Sequence, residues 1–282
     1  MIKLLADSAC DLEAEEAKAR GIALMPLYIR FGDEEFQDGV TLSHREFFEK
    51  LIETDDIPKT SQISEYRFTE AFEELTKDGS EVIAIALSSK LSGTCQSAVK
   101  AAKKFEGKVF VVDSMNACLG ERILVEYAAR LIEEGKLSAR EIAAELENKK
   151  GKIKLLALLD TLKYLRKGGR ISSVTAIAGE MLSIKPVITV TDGEPKLIGK
   201  AMGSKKGNNL LSRLVEECGG IDFSMPYTLA YSGLSEEYLL KYLHDSEPLW
   251  KEHTDHIPYY LIGSTIGTHI GPNAIAVAFF SK

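Results

Sequence analysis

Three short apolar runs constrain this chain more than anything else in it: "IKLLA" (2–6), "VIAIAL" (82–87) and "KVFVVD" (108–113). Each is too short for a buried helix, and each is followed by a stretch with helical spacing. Their apolar residues are consecutive rather than alternating, so such strands need cover on both faces. The intervening patterns supply it. "DSACDLEAEEAKARG" (7–21) reads as a capped helix closed by Gly21. "SHREFFEKLIE" (43–53) offers Ser43 as its N-cap, and "SEYRFTEAFEELTKDG" (64–79) and "CLGERILVEYAARLIEEG" (118–135) repeat the helical period. "ALMPLYIRF" (23–31) is strand-like. This order predicts an α/β fold with a mostly parallel sheet.

After a basic, weakly apolar segment, "LSAREIAAELENKKGKIK" (137–154), the texture changes. Strand patterns now follow one another in "KLLALLD", "KPVITVTDGEPKLIGKA", "PYTLAYSG", "YYLIGST" and "AIAVAFF". "TDGE" between two such runs is a hairpin signal. The chain therefore divides into an N-terminal α/β domain over residues 1–150 and a C-terminal α+β domain over 151–282, whose sheet is partly antiparallel.

With 282 residues, two modest domains fit the usual domain sizes. The 42 acidic residues outnumber the 35 Lys and Arg, giving a net charge of −7 and no basic stripe, which argues against nucleic acid as a partner. The lysines of "KKGKIK" (149–154) and "GKAMGSKKG" (199–207) read as solvated faces. Cys10, Cys95, Cys118 and Cys218 are widely spaced, which suits reduced thiols rather than a disulfide frame or zinc site. The first residues turn acidic too soon for a secretory signal, and no apolar run nears the roughly 18 residues of a membrane span. A soluble, cytoplasmic protein is expected, with no stable membrane insertion.

The chemistry-bearing stretches are rich in small polar residues. Three first-half strands end on Asp7-Ser8, Ser88-Ser89 and Asp113-Ser114, at the sheet edge where doubly wound folds bind ligands. Plain helix capping accounts for Asp7 and Asp113. In "SSKLSGT" (88–94), Ser88, Ser89, Ser92 and Thr94 exceed the needs of one cap, and Gly93 lets a ligand approach the backbone. Hydroxyls beside a helix start suit an anion: a phosphate, an oxyanion or a carboxylate. "PKTSQIS" (58–64) is a second hydroxyl-rich turn, in which Ser61 or Ser64 can equally be an N-cap. "LKYLRKGGRISS" (162–173) ends a helix at Gly168-Gly169 and then presents Arg170, either a surface charge or a guanidinium aimed into a cleft. In "GSTIGTHIGPNAIAVAFF" (263–280), His269 has a rigid setting of glycines and a proline, structural or functional. Nucleophile-elbow, phosphate-loop and dinucleotide motifs are missing, and Asp, His and Cys do not group at metal-ligand spacing.

Five stretches taken together resemble the DegV family: "DSACDL", "TSQIS", "LSSKLSGTCQSA", "LKYLRKGGRIS" and "GSTIGTHIGPNAIAV". The resemblance extends from residue 2 to about residue 280. It implies a two-domain α/β fold with the ligand cleft between the domains. It further implies a long-chain fatty acid as ligand, tail inside and carboxylate at the domain junction, with no cofactor and no catalysis by this chain. The partner implied is an ATP-dependent fatty acid kinase subunit that phosphorylates the bound acid to an acyl phosphate. Residue by residue, the carboxylate-binding hydroxyls fall on Thr60 and Ser92, flanked by Ser61 and Thr94. Arg170 and His269 match polar positions near the head group, where both can be cationic. Three residues depart from the family pattern: Ile63 in place of proline, Asn273 of glycine, and Met202 of an arginine that many members carry.

A tail of roughly fourteen buried methylenes contributes on the order of 11 kcal/mol gross at about 0.8 kcal/mol each, so the hydroxyls need only satisfy and orient the head. "VTAIAGEMLSIKPVITV" (174–190) is apolar enough to line part of the tail's path. The alternative is a phosphotransferase or kinase-associated enzyme seating a phosphate in the same place. A serine hydrolase pairing Ser92 with His269 comes third.

Overall fold

The computed structural model describes residues 1–54, 57–171 and 184–282. In chain order the N-terminal half contains β1 (Ile2–Asp7), α1 (Ala14–Ala19), β2 (Ile22–Met25), β3 (Tyr28–Phe31), β4 (Glu34–Gln37) and α2 (His44–Glu53). It continues with β5 (Lys59–Ser61), α3 (Glu65–Thr76), β6 (Glu81–Ala86), α4 (Thr94–Ala102), β7 (Val109–Asp113), α5 (Leu119–Glu134) and α6 (Ala139–Lys149). The second half holds β8 (Ile153–Leu158), α7 (Lys163–Lys167), β9 (Ile184–Thr191), β10 (Glu194–Met202), α8 (Ser204–Glu217) and β11 (Tyr227–Tyr231). It ends with α9 (Glu237–Asp245), β12 (Tyr259–Leu261), α10 (Ser264–Ile270) and β13 (Ile275–Phe280).

The parallel sheet has the order β2-β1-β6-β7. Its central strands β1 and β6 are buried on both faces, as their unbroken apolar runs require. Leu4 and Ala6 of β1, with Ile83 and Ile85 of β6, face α5. The alternate residues Leu5, Val82 and Ala84 face Phe68 and Phe72 of α3 and Ala98 and Ala101 of α4. Chain direction across the sheet reverses its stepping between β1 and β6, which leaves a crevice at their carboxyl ends.

The second sheet has the order β10-β9-β8-β13-β11-β12 and is antiparallel except for β11–β12. One face packs on α5 through Leu155, Ala157, Ala276, Ala278 and Phe280. The other face packs on α8 and α9, with Leu211, Val215, Leu239 and Tyr242 against Leu156, Leu229, Val277 and Phe279. The first half of helix α5 is thus buried on every side, enclosing Glu121 and Arg122 along with its apolar residues. A small third sheet, β4-β3-β5, carries its own core of Ile29 and Phe31 against Phe47, Phe48 and Leu51 of α2.

The α/β architecture with a separate, sheet-rich C-terminal part agrees with the sequence expectation. Local details differ for physical reasons. "DSACDLEAEEAKARG" forms two short pieces, because Asp11 sits at φ 56° and ends a 3-10 turn over Ser8–Cys10 before α1 begins. "ALMPLYIRF" breaks at Pro26 and sends β2 and β3 into different sheets. The turn expected at "PKTSQIS" contains an edge strand, β5, paired with β3. The "LSAREIAAELENKK" segment is the helix α6, with a Ser138–Glu141 capping box. His269 lies in a helix rather than a loop. Of "VTAIAGEMLSIKPVITV" and "RISS", residues 172–183 lie outside the described residues.

Candidate functional site

The crevice at the carboxyl ends of β1 and β6 opens into a cavity of about 390 Å³ between the two sheets. Asp7 stitches its floor, accepting the Leu87 N–H at 2.9 Å and the Ala9 N–H at 3.0 Å. The apolar walls come from both halves of the chain: Leu27, Leu87 and Leu91 on one side, Leu155, Ala157, Ile188, Val190 and Ala276 on the other. Ile266 and Ile270 of α10 add a third wall. Thr189 and Thr265 line it as well, and the remaining polar lining is Thr60, Ser61, Gln62, Ser92, Arg170 and His269.

These polar residues form a linked set. Thr60 Oγ1 and His269 Nε2 are hydrogen-bonded at 2.9 Å across 209 residues of sequence. The Nδ1 edge of the same ring lies against Gly168, where any Cβ would clash with it. The carbonyl of Gly168 accepts from Arg170 Nη1 at 2.7 Å, and Arg170 Nε reaches the Leu91 carbonyl at 3.4 Å. Next along the chain, Ser92 Oγ is 2.9 Å from Thr94 Oγ1, which also accepts the Ile63 N–H at 3.3 Å. The Gln62 amide rests on Gly93, in the space a Cβ would take. The network therefore links β5, α10, the end of α7 and the start of α4 beside a mostly apolar chamber.

Local structure explains each placement. Gly93, the N-cap of helix α4, offers no side-chain cap; Ser92 Oγ accepts the Thr94 N–H at 3.2 Å, and Ser92 and Gly93 both line the cavity. Ser88 is a brace instead: it is fully buried and donates to the Gly193 carbonyl at 2.8 Å, tying the β9–β10 turn to the parallel sheet. Ser89 and Met115 donate their N–H groups to Asp113, so that carboxylate is occupied by backbone. Ser64 caps α3. Helix α10 presses on α2 so closely that a Cβ at Gly267 would stand 2.6 Å from Phe47 Cε1. Gly271 makes room for the Tyr164 ring.

The sequence candidates divide accordingly. Thr60, Ser61, Ser92, Arg170 and His269 share the cavity, whereas Thr94 is fully buried and is not part of its lining. Ser92 bonds Thr94 rather than His269, so the hydrolase pairing has no hydrogen bond behind it. Burial pushes the His269 imidazole down to about 4, with the Arg170 charge adding to the effect. The ring is therefore neutral at pH 7, and of the two expected cations only the exposed Arg170 guanidinium carries charge there. Gln62 was not singled out by sequence and Gly168 was read only as a helix stop; their importance rests on what packs against them. Among the departures, Ile63 supplies an N–H that a proline would lack, and Asn273 adopts φ 64°, a conformation asparagine tolerates. Met202, at the end of β10, is 63% exposed.

Buried acids crowd beneath the site. Burial raises Asp7 and Asp11 to about 7 and pushes Glu121 well above the carboxylate range. Among the described residues no group of His, Cys, Asp and Glu can hold a metal ion, and no helix is long and apolar enough to cross a membrane.

Comparison with known proteins agrees with this geometry. A protein-family model described as "Uncharacterised protein, DegV family COG1307" matches residues 1–282. A DegV domain-containing protein of Caldanaerobacter subterraneus subsp. tengcongensis is 35% identical over 284 residues, covering 100% of this chain and 99% of the relative. A Thermus thermophilus DegV family protein, described for its fatty acid binding, superposes with a TM-score of 0.88 at 29% identity, over 100% of this chain and 99% of that one. A Eubacterium eligens DegV family protein loaded with heptadecanoic acid gives 0.83 at 28% identity, over 100% of both chains. With one family model spanning every residue and relatives matched end to end, this chain belongs to the DegV family.

Proposed function

We propose that this protein binds a long-chain fatty acid, with the tail in the inter-sheet cavity and the carboxylate at the linked polar end. One observation carries the reading: a mostly apolar chamber of about 390 Å³ is lined by a linked set of hydroxyl, imidazole and guanidinium groups. Such a shape suits a ligand that is hydrocarbon over most of its length and anionic at one tip. Ser92, Thr60 and Ser61 supply hydroxyl donors, neutral His269 orients Thr60, and Arg170 brings the positive charge. Thr94 holds Ser92 in place. The fatty acids bound by the Thermus and Eubacterium relatives support the same ligand class here.

The protein is proposed to act as a carrier that presents the acid, carboxylate outward, to a separate ATP-dependent kinase subunit that makes the acyl phosphate. Arg170 at the mouth is suited to the extra charge that forms on phosphorylation. Native mass spectrometry of protein purified from cells tests the ligand: a co-purifying mass matching a fatty acid supports the reading, and bound nucleotide in its place sinks it. Incubation with ATP and fatty acid is expected to leave both unchanged until a kinase subunit is added. Acyl phosphate made by this chain alone would overturn the carrier role.

A further inference from the structure

Helix α10 carries His269, yet the groups that hold its first turn come from the other half of the protein. The Gly263 N–H donates to Asp11 Oδ1 at 3.0 Å. The Ser264 N–H donates to Asp38 Oδ1 at 3.1 Å and the Thr265 N–H to Asp38 Oδ2 at 3.2 Å. Gly263 has no side chain to offer, and the Ser264 and Thr265 hydroxyls make no hydrogen bond among the described residues. The segment is thus held in trans, across more than two hundred residues of sequence.

Asp38 is itself fixed from three sides. Ser8 Oγ donates to its Oδ2 at 3.0 Å, and His44 Nε2 stands 3.6 Å from its Oδ1. Its own N–H is tied to the Leu27 carbonyl at 3.0 Å, and Leu27 lines the cavity. Asp38 and Asp11 are each only 1% exposed, so neither contacts solvent or a ligand.

We propose that Asp38, seconded by Asp11, is a positioning residue that sets where His269 stands and thereby sets the preference for a carboxylate over an uncharged head group. The inference rests on the fatty-acid reading above. Thr265 and His269 are one turn apart on a short, closely packed helix, about 6 Å along its axis, so a shift at the first is carried to the second as a rigid movement. The ring has little tolerance for such a shift. Thr60 fixes one edge at 2.9 Å, and Gly168 blocks the other. A displacement of half an ångström takes the Thr60 bond out of good geometry and leaves that hydroxyl misdirected.

The charge of Asp38 offers a sharp contrast. If Asp38 acted on the ligand through space, removing its negative charge would strengthen carboxylate binding. If it acts by position, Asp38→Asn weakens carboxylate binding, because the amide offers one oxygen and an NH2 group to three donors. The test measures the affinities of hexadecanoic acid and hexadecanol for wild type and Asp38→Asn, with the fold checked by circular dichroism. The acid-over-alcohol preference is expected to fall about tenfold, chiefly through weaker acid binding, with hexadecanol affinity within twofold of wild type. An unchanged or increased preference, or equal losses for both ligands, overturns the proposal. If Asp38→Asn does not fold, Asp11→Gly, which removes the acceptor of the Gly263 N–H and tolerates the φ of 56° there, decides by the same ratio, with a smaller drop expected and an unchanged ratio overturning. A wild-type protein that binds neither ligand, or shows no acid preference, instead overturns the fatty-acid reading itself and this inference with it.

Discussion

At the residue scale, the proposed site would satisfy an anion rather than attract one strongly. Thr60 and Ser92 are part-buried hydroxyls whose lost bonds would leave a carboxylate oxygen short of a donor. Replacing either with Ala is expected to weaken acid binding by about 1–3 kcal/mol while leaving the alcohol of the same length nearly unaffected. Calorimetric titration of both ligands checks this, and equal losses would assign the hydroxyls to structure instead. His269 makes a second residue-level prediction. Its ring is held neutral by burial, first, and by Arg170, so its NMR titration in the free protein is expected to have a midpoint near 4. A midpoint near 6.5 would return the imidazole to the role of a cation. The sequence exposes each of these residues but not their pairing, since no local pattern announces a hydrogen bond spanning 209 positions. Thr94 illustrates the converse. Its place beside Ser92 in "LSGT" suggests a second donor, and only packing reveals that its oxygen serves Ser92 and Ile63.

At the scale of elements, the strands that line the cavity carry small residues along the path proposed for the tail. Ala157 on β8 and Ala276 on β13 are cross-strand partners and both face the chamber. Ala157→Phe is expected to fill part of it and abolish uptake of hexadecanoic acid, at a cost of about 1–3 kcal/mol in stability from the crowded core. Binding by mass spectrometry and a thermal melt check the two halves of that statement; retained uptake would move the tail elsewhere. Element identity was largely legible, because the helices carry clear caps and period, as in the Ser43 capping box of α2, and "TDGE" turns through Asp192 and Gly193 at positive φ as a hairpin requires. Less legible were elements whose form depends on distant partners. Strand β5 is three residues long and exists by pairing with β3, and α10 is seven residues long with its first turn held by Asp38 and Asp11. Neither is long enough to be specified by its own propensity.

At the scale of the whole molecule, the buried acids give stability an unusual dependence on pH. Asp7 and Asp11, with folded values near 7 against 3.8 for the free side chain, hold protons that the unfolded chain releases, and Glu121 shifts the same way. Stability is therefore expected to fall as pH rises from about 4 through about 7, by on the order of 2 kcal/mol between pH 5 and 7. His269 opposes this at the acid end: its folded value is depressed below 6.5, so its contribution is lost as pH falls towards 4. Denaturant titration of ligand-free protein at pH 5, 6 and 7.5 checks the sign, and a rise in stability over that range would contradict it. One feature of the second sheet also governs how the molecule comes into being. Strand β13 stands between β8 and β11, in the middle of the sheet, although it is the last strand in the chain. Until residues 275–280 arrive, β8 and β11 have open edges towards each other, and both walls around α5 are incomplete. Hydrophobic burial on that side thus waits for contacts between residues more than a hundred positions apart, which slows folding. A chain in the making can assemble its parallel sheet early, but its chamber closes late and all at once.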